Sequence, residues 1–284
     1  MKTILVPTDF SPAANNAVQY AFNVARVVKA NIKLCNAIQI PGESVMAGQV
    51  AWPLEDMESL KESSEAELNY LIHSLDKKSI TADEAYHPRI SHTTGIGNVT
   101  DFVRNLVNDH KVNLVVMGMS GANLFSKFVL GSNSYELIRK ANFPLLLIPK
   151  NYANTSIKKI AFATDLSKTD IEALHSLANF ARYYNAEILV THVAEGVEDE
   201  QKQIDEFLSD VTCKVDYPHI YYRSMPTGAV KDGLNHLIEN GRIDMLVMIH
   251  RSQGIFSSSY SQKMAAKTKI PLMVLPDGFD KLLI

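Results

Sequence analysis

The sequence predicts an α/β protein built as two tandem open-twisted parallel-sheet sandwiches, five strands in each. Three observations lead there. Apolar runs without polar alternation, "NLVVM" from Asn113 and "PLLLIP" from Pro144 among them, suit strands buried on both faces, as in a parallel sheet. Segments between such runs carry apolar residues at helical spacing, so helices alternate with the strands and cover both sides of the sheet through right-handed crossovers. The chain also repeats itself: "ILVPTDFSPA" from Ile4 falls on "IAFATDLSKT" from Ile160, an offset of 156 residues.

The elements of copy one follow in order. "TILVPT" from Thr3 is the first strand, and Ser11-Pro12 then gives an N-cap residue and a proline at the first helical position for "PAANNAVQYAFNVARVVKA". "NIKLCNAIQI" from Asn31 is the second strand. The next helix, "SLKESSEAELNYLIHSLDKK", places Leu60, Leu68, Leu71 and Leu75 on one face. "AYHPRISHTT" from Ala85 reads as a third strand, "NLVVMG" as the fourth and "FPLLLIP" as the fifth.

Copy two keeps this register. "ANIKLCNA" from Ala30 falls on "AEILVTHV" from Ala186, and "GNVTDFVRNLV" from Gly97 falls on "GAVKDGLNHLI" from Gly228 at an offset of 131, so copy two is 25 residues shorter in its middle. The polar stretch "PKNYANTSIKK", from Pro149 to Lys159, separates them. The predicted domains are residues 1–150 and 156–278. Ser167 with Asp170 three residues on makes a near capping box at the first helix of copy two.

At 284 residues and 46% hydrophobic content there is ample material for two cores. A net charge of −3 gives no field that would draw the chain to nucleic acid or to an anionic membrane. The longest apolar runs fall far short of the ~20 residues of a membrane span, and Met1-Lys2 leads straight into a strand, so a cytoplasmic location is expected. Cys35 and Cys213 sit in unrelated contexts and read as reduced packing residues.

An aspartate ends the first strand of both copies, Asp9 in "TDFS" and Asp165 in "TDLS". Open α/β sheets bind ligands at that end of their strands, whereas Asp is also a common turn former; both readings of Asp9 stand. The stretch "GMSGANLFSKFVLGSNS" is more specific. Gly118 follows the fourth strand, Gly121 is three later, and Gly131-Ser132 opens the helical "SYELIRKAN". Glycines let main-chain N–H groups approach an anion, and a helix N-terminus adds unpaired donors and a partial positive charge worth ~0.3–1 kcal/mol. With Ser132, Asn133 and Ser134 as side-chain donors, the unit reads as a phosphate cradle. No G-x4-G-K-[ST] occurs, "GIG" at Gly95 to Gly97 lacks the context of a dinucleotide fingerprint, and "PTDFS" lacks the Ser-Gly-Gly loop of adenylating enzymes.

The spacing Gly118-x2-Gly121-x9-Gly131-Ser132 resembles the G-2x-G-9x-G-[ST] signature of ATP-binding universal stress proteins, and "ILVPTDFS" resembles that family's opening strand and loop. As a tandem pair the resemblance spans essentially the whole chain. It implies a Rossmann-like fold of the adenine nucleotide alpha hydrolase-like type and a regulatory protein that binds ATP or another adenine nucleotide. By position Pro7, Thr8 and Asp9 would line the adenosine side, and Ala37 would offer backbone groups to the adenine. Met117 and Gly118 would lie by the ribose, and Gly121, Gly131, Ser132 and Asn133 would hold the phosphates. No metal ligand is assigned; Asp9 would meet a divalent ion such as magnesium only through the nucleotide. The family more often has His-Val where Asn36-Ala37 stands, a pair that copy two carries as His192-Val193; His192 reads as a core-edge residue.

In copy two, Ile249 replaces Gly118, Ser252 replaces Gly121 and Ser258 replaces Gly131, so this copy is expected to bind no ATP in that manner. His250 and Arg251 could meet a different anion, but read first as part of a solvated loop. The proline-bounded final strands "PLLLIP" and "PLMVLP" are apolar edges that need cover, which antiparallel pairing of the two copies would supply, as subunits of the family do on dimerising. A homodimer of tandem chains is compatible with this. Trp52, in the extra segment of copy one, is either a lid or contact residue or is tucked against its own domain. No catalytic residue is assigned: the motif offers Ser, Asn and Lys127 but no carboxylate to position water at a γ-phosphate, so a slow ATPase is the alternative reading, with a scaffold that binds no nucleotide, or holds another small molecule, as the third.

Overall fold

The computed structural model describes residues 2–38, 54–79, 86–109, 112–119, 132–193, 200–225, 230–251 and 258–284. Copy one runs β1 (Thr3–Pro7), α1 (Pro12–Val28), β2 (Asn31–Ile38), α2 (Leu54–Ser79), β3 (Ile90–Ile96), α3 (Val99–Asp109), β4 (Leu114–Met119), α4 (Ser132–Lys140) and β5 (Leu145–Pro149). Copy two runs β6 (Lys159–Ala163), α5 (Asp170–Arg182), β7 (Glu187–Val193), α6 (Glu200–Lys214), β8 (Ile220–Met225), α7 (Val230–Asn240), β9 (Met245–His250), α8 (Ser258–Lys267) and β10 (Leu272–Pro276). The predicted α/β fold with five strands per copy is the observed one. The shortening of copy two falls partly on its second helix, 15 residues in α6 against 26 in α2.

All ten strands form one sheet in the order β3-β2-β1-β4-β5-β10-β9-β6-β7-β8. Within each copy neighbours are parallel, and the registers coincide: Thr3 pairs with Asn31 as Lys159 pairs with Glu187. At the seam β5 and β10 run antiparallel, with Leu145, Leu146 and Leu147 opposite Val274, Met273 and Leu272. These six residues are almost wholly buried, so neither apolar edge faces water. Across the seam α4 and α8 also meet, where Gln262 Nε2 donates to the Tyr135 carbonyl at 3.1 Å.

Period-2 alternation along the strands divides the core into two layers. Ile4, Val6, Leu114 and Val116 face α1 and α2, joined by Ile160, Phe162, Val247 and Ile249 with α5 and α6. Leu5, Val115, Leu145 and Leu147 face α3 and α4, joined by Ala161, Leu246 and Met248 with α7 and α8. The inner strands β1, β4, β5, β6, β9 and β10 therefore send apolar groups both ways, which is why their sequences read as apolar runs, whereas the edge strands β3 and β8 are more polar and more exposed.

The first helices of the two copies start differently. Ser11 Oγ accepts from the Ala14 N–H at 3.2 Å and Pro12 opens α1, as expected. The capping box expected of Ser167 and Asp170 does not form: α5 begins at Asp170, and Thr169 in the N-cap position makes no side-chain cap bond. Asp170 is fully buried and turns inward, accepting from Thr164 Oγ1 at 2.6 Å and from Arg251 Nη2. A charged donor outcompetes a backbone N–H for a carboxylate. Asp170 corresponds to Ala14, so α5 starts two positions later than α1.

Candidate functional site

Strand order reverses direction between β1 and β4, and beyond the carboxyl ends of β1, β2 and β4 lies a cavity of ≈ 300 Å³. Its floor is built by the turn after β1. Thr8 Oγ1 accepts from the Phe10 N–H at 3.0 Å, Asp9 Oδ1 accepts from the Ser11 N–H at 3.0 Å, and Phe10 takes a left-handed conformation at φ 63°. Copy two repeats every part: Thr164 and Asp165 accept from Leu166 and Ser167, with Leu166 at φ 65°. The two side-chain bonds hold a non-glycine residue where it would otherwise cost ~1–2 kcal/mol. Turn formation is thus one role of Asp9; its carboxylate is also exposed at the cavity.

Pro7, Thr8, Asp9, Ala37, Met117, Gly118 and Asn133 all line this cavity. Gly121 and Gly131 lie outside the described residues, as does Trp52. Ser132 is the first residue of α4. The α4 N-terminus is tied to β4 through Ser134, whose Oγ contacts the Gly118 carbonyl at 3.5 Å. Helices α3 and α4 are held side by side where Glu136 accepts from Asn98 Nδ2 at 3.4 Å and from Thr100 Oγ1 at 3.3 Å. Lys140, paired with it at 2.7 Å, leads these contacts in keeping its carboxyl below the usual range.

Gly118 has a more exacting reason to be glycine than anion approach. A Cβ there would stand 2.4 Å from the Ala13 carbonyl oxygen and 2.9 Å from the Ala14 nitrogen, inside the first turn of α1. Its hydrogen is what allows that turn to close on β4, next to the cavity.

Further residues complete the wall. Asn36 is buried; its Nδ2 donates to the Thr8 carbonyl at 2.7 Å and its Oδ1 accepts from Ser64 Oγ at 2.9 Å, a chain linking β1, β2 and α2. Val99, Phe102 and Val103 of α3 supply an apolar side. Phe102 packs on β3 at Gly95, where a Cβ would meet its ring at 2.3 Å. The "GIG" at Gly95 to Gly97 is the only sequence sign of that arrangement. Cys35 also lines the cavity, and burial pushes its thiol up to about 12, so it is a neutral packing group. Among the described residues, no three His, Cys, Asp or Glu side chains are grouped to hold a metal ion.

The corresponding place in copy two is filled. Arg251, expected in a solvated loop, is 9% exposed. Its Nη1 lies 3.0 Å from Asp165 Oδ2, an ion pair outside hydrogen-bond angles; Nη2 donates to Asp170, and Nε is 3.6 Å from Asp277 Oδ1. That expectation is corrected by the carboxylates that draw the guanidinium in, residues 26 to 86 positions away in sequence. Ile249, at the position of Gly118, is also buried. His192 repeats the role of Asn36: Nδ1 lies 3.1 Å from the Thr164 carbonyl and Nε2 2.9 Å from Glu200 Oε1.

Two open parallel sheets of the same topology, joined through their final strands and with a cavity at the switch point of the first, define a duplicated α/β protein of the doubly wound class. The model of the universal stress protein family matches residues 1–149. The chain therefore belongs to the universal stress protein family, as a tandem UspA-like member. It is 25% identical to the universal stress protein Slr1230 of Synechocystis over 297 residues, covering 96% of this chain and 99% of that one. It is 23% identical to the universal stress protein MJ0531 of Methanocaldococcus jannaschii over 149 residues, 52% of this chain and 82% of that one. A solved universal stress protein from Archaeoglobus fulgidus superposes with a TM-score of 0.71 at 16% identity, covering 96% of this chain and 98% of that structure.

Proposed function

We propose that copy one binds ATP or another adenine nucleotide and that occupancy serves a regulatory role in a stress response. One observation carries this: the cavity at the β1–β4 switch point gathers Pro7, Thr8, Asp9, Ala37, Met117, Gly118 and Asn133, residues from distant parts of copy one that the family resemblance implies as a nucleotide lining. Its ≈ 300 Å³ is at the lower end of the ~300–1,000 Å³ range of small-molecule sites and suits a base and sugar.

The apolar side of Val99, Phe102 and Val103 would take the base, Met117 and Gly118 would lie by the sugar, and Asp9 would meet the sugar or a divalent ion carried by the phosphates. The phosphates would run toward the α4 N-terminus, where unpaired N–H groups and Asn133 favour an anion. In this reading the domains are residues 1–150, with an intact loop, and 156–278, with a degenerate one. The β5–β10 seam acts as a built-in dimer contact in a cytoplasmic protein.

Equilibrium titration with a fluorescent ATP analogue, with and without magnesium, tests the reading. The wild type is expected to bind one nucleotide per chain, and Gly121→Val to lose binding while keeping the wild-type unfolding midpoint. Unchanged affinity in that variant would overturn the cradle.

A further inference from the structure

We propose that copy two keeps the ligand position of its fold as a guanidinium site, which the chain fills itself with Arg251. Residue correspondence comes first. Asp165 stands where Asp9 does and Asp170 where Ala14 does, and both Asp9 and Ala14 line the copy-one cavity. Copy two thus places carboxylates at two positions of that wall and directs a cation onto them. Asp277, just past β10, is the third acidic group, and Thr169 Oγ1 donates to its Oδ1 at 3.2 Å.

The shape of the ligand follows from the geometry. Three carboxylates surround the guanidinium, and each is paired with a different nitrogen: Asp165 with Nη1, Asp170 with Nη2 and Asp277 with Nε. A planar fork with donors on separate nitrogens fits this arrangement, and a point-charge ammonium does not. Asp170 is fully buried and Arg251 nearly so, and burial of that kind is tolerated only while the partners stay together. Removal of the arginine leaves a buried carboxylate without its cation.

The surrounding chain has adapted to the plug. Ile249 occupies the position of Gly118, and α5 begins two positions later than α1, so the residues equivalent to the first turn of α1 form a separate hydrogen-bonded turn ahead of the helix where Ile249 stands. Copy two has therefore inverted the charge preference of its site. Phosphate would meet three carboxylates there, and the cation that satisfies them is already covalently attached.

Chemical rescue of the full-length Arg251→Ala variant tests the proposal without any nucleotide, so its outcome is independent of what copy one binds. The thermal midpoint of copy two should fall by roughly 5–10 °C, and millimolar methylguanidinium should restore at least half of that loss with saturation. Sodium chloride at equal ionic strength should not, and methylguanidinium should leave the wild type unchanged. An unaltered midpoint, or recovery no greater than with salt, would overturn the site. If Arg251→Ala does not fold, Arg251→Lys decides: the site requires a midpoint below wild type, and an equal one shows that any cation suffices and refutes the guanidinium assignment.

Discussion

Asn36 Nδ2 donates to the Thr8 carbonyl at 2.7 Å, bringing the end of β2 onto the turn that carries Asp9. His192 stands in the same relation to Thr164 in copy two, reaching the equivalent carbonyl with a ring nitrogen instead of an amide. Two chemically different donors have thus been selected for one task, fixing the floor of the site. Asn36→Ala leaves the Thr8 carbonyl and Ser64 Oγ without partners in a buried place and should cost about 1–3 kcal/mol in urea denaturation. Asn36→His should recover part of that loss, since imidazole fits this geometry in copy two. Equal stabilities for Asn36→Ala and wild type would remove Asn36 from the framework of the site.

Gly118→Ala tests the second constraint. The added methyl falls 2.4 Å from the Ala13 carbonyl oxygen, and the obstacle is backbone in a helix rather than a movable side chain. The first turn of α1 must shift outward, for an expected loss of about 1–3 kcal/mol. Because the same turn borders the cavity, nucleotide affinity should fall together with stability. Gly121→Val should separate the two effects, losing affinity alone. A Gly118→Ala protein with wild-type stability would contradict the close approach of α1 to β4.

The repeat and the strands were legible because burial on both faces leaves an unbroken apolar run, and because "TDFS" and "TDLS" build the same turn twice. The glycine spacing pointed to the end of the sheet where the cavity lies, although the packing role of Gly118 was hidden: nothing local tells Ala13 to lie against it. The packing of Phe102 on Gly95 and the bond from Asn36, noted in the sequence only as a departure from the family's His, to the Thr8 carbonyl were not legible because these partners are joined only by tertiary structure. Asp170 shows the sharpest divergence. Three residues after Ser167 it looks like a capping residue, yet a guanidinium 81 positions later decides where its carboxylate points.

Asp170 also gives copy two a pH dependence whose sign is fixed by its burial. Burial pushes the carboxyl up to about 6, outweighing the lowering influence of Arg251 and the Thr164 hydroxyl, while Asp165 nearby adds to the rise. In the unfolded chain it titrates near ~3.9. The folded state therefore binds this proton more tightly, so the stability it contributes is fully present below the unfolded value and is lost as pH rises through about 6. Wild type should gain stability relative to Asp170→Asn between pH 7 and pH 4, by on the order of 2 kcal/mol. Paired denaturation curves across that range check it, because groups common to both proteins cancel in the difference. A flat difference, or one of opposite sign, would show that the ion pair with Arg251 dominates over burial.

The two cysteines should differ sharply in reactivity. Cys35 is 1% exposed and its thiol is pushed up to about 12, whereas Cys213 is exposed at the end of α6. Thiolate is the reactive species, so at pH 8 roughly one Cys35 in ten thousand is competent at any moment, and burial slows access further. An aromatic disulfide reagent should therefore titrate one thiol per native chain rapidly and two after denaturation. Cys213→Ser should abolish the rapid phase, and Cys35→Ser should leave it intact. Rapid modification of Cys35 in the native protein would mean that the cavity floor opens far more readily than the packing of β2 against β1 and β3 allows.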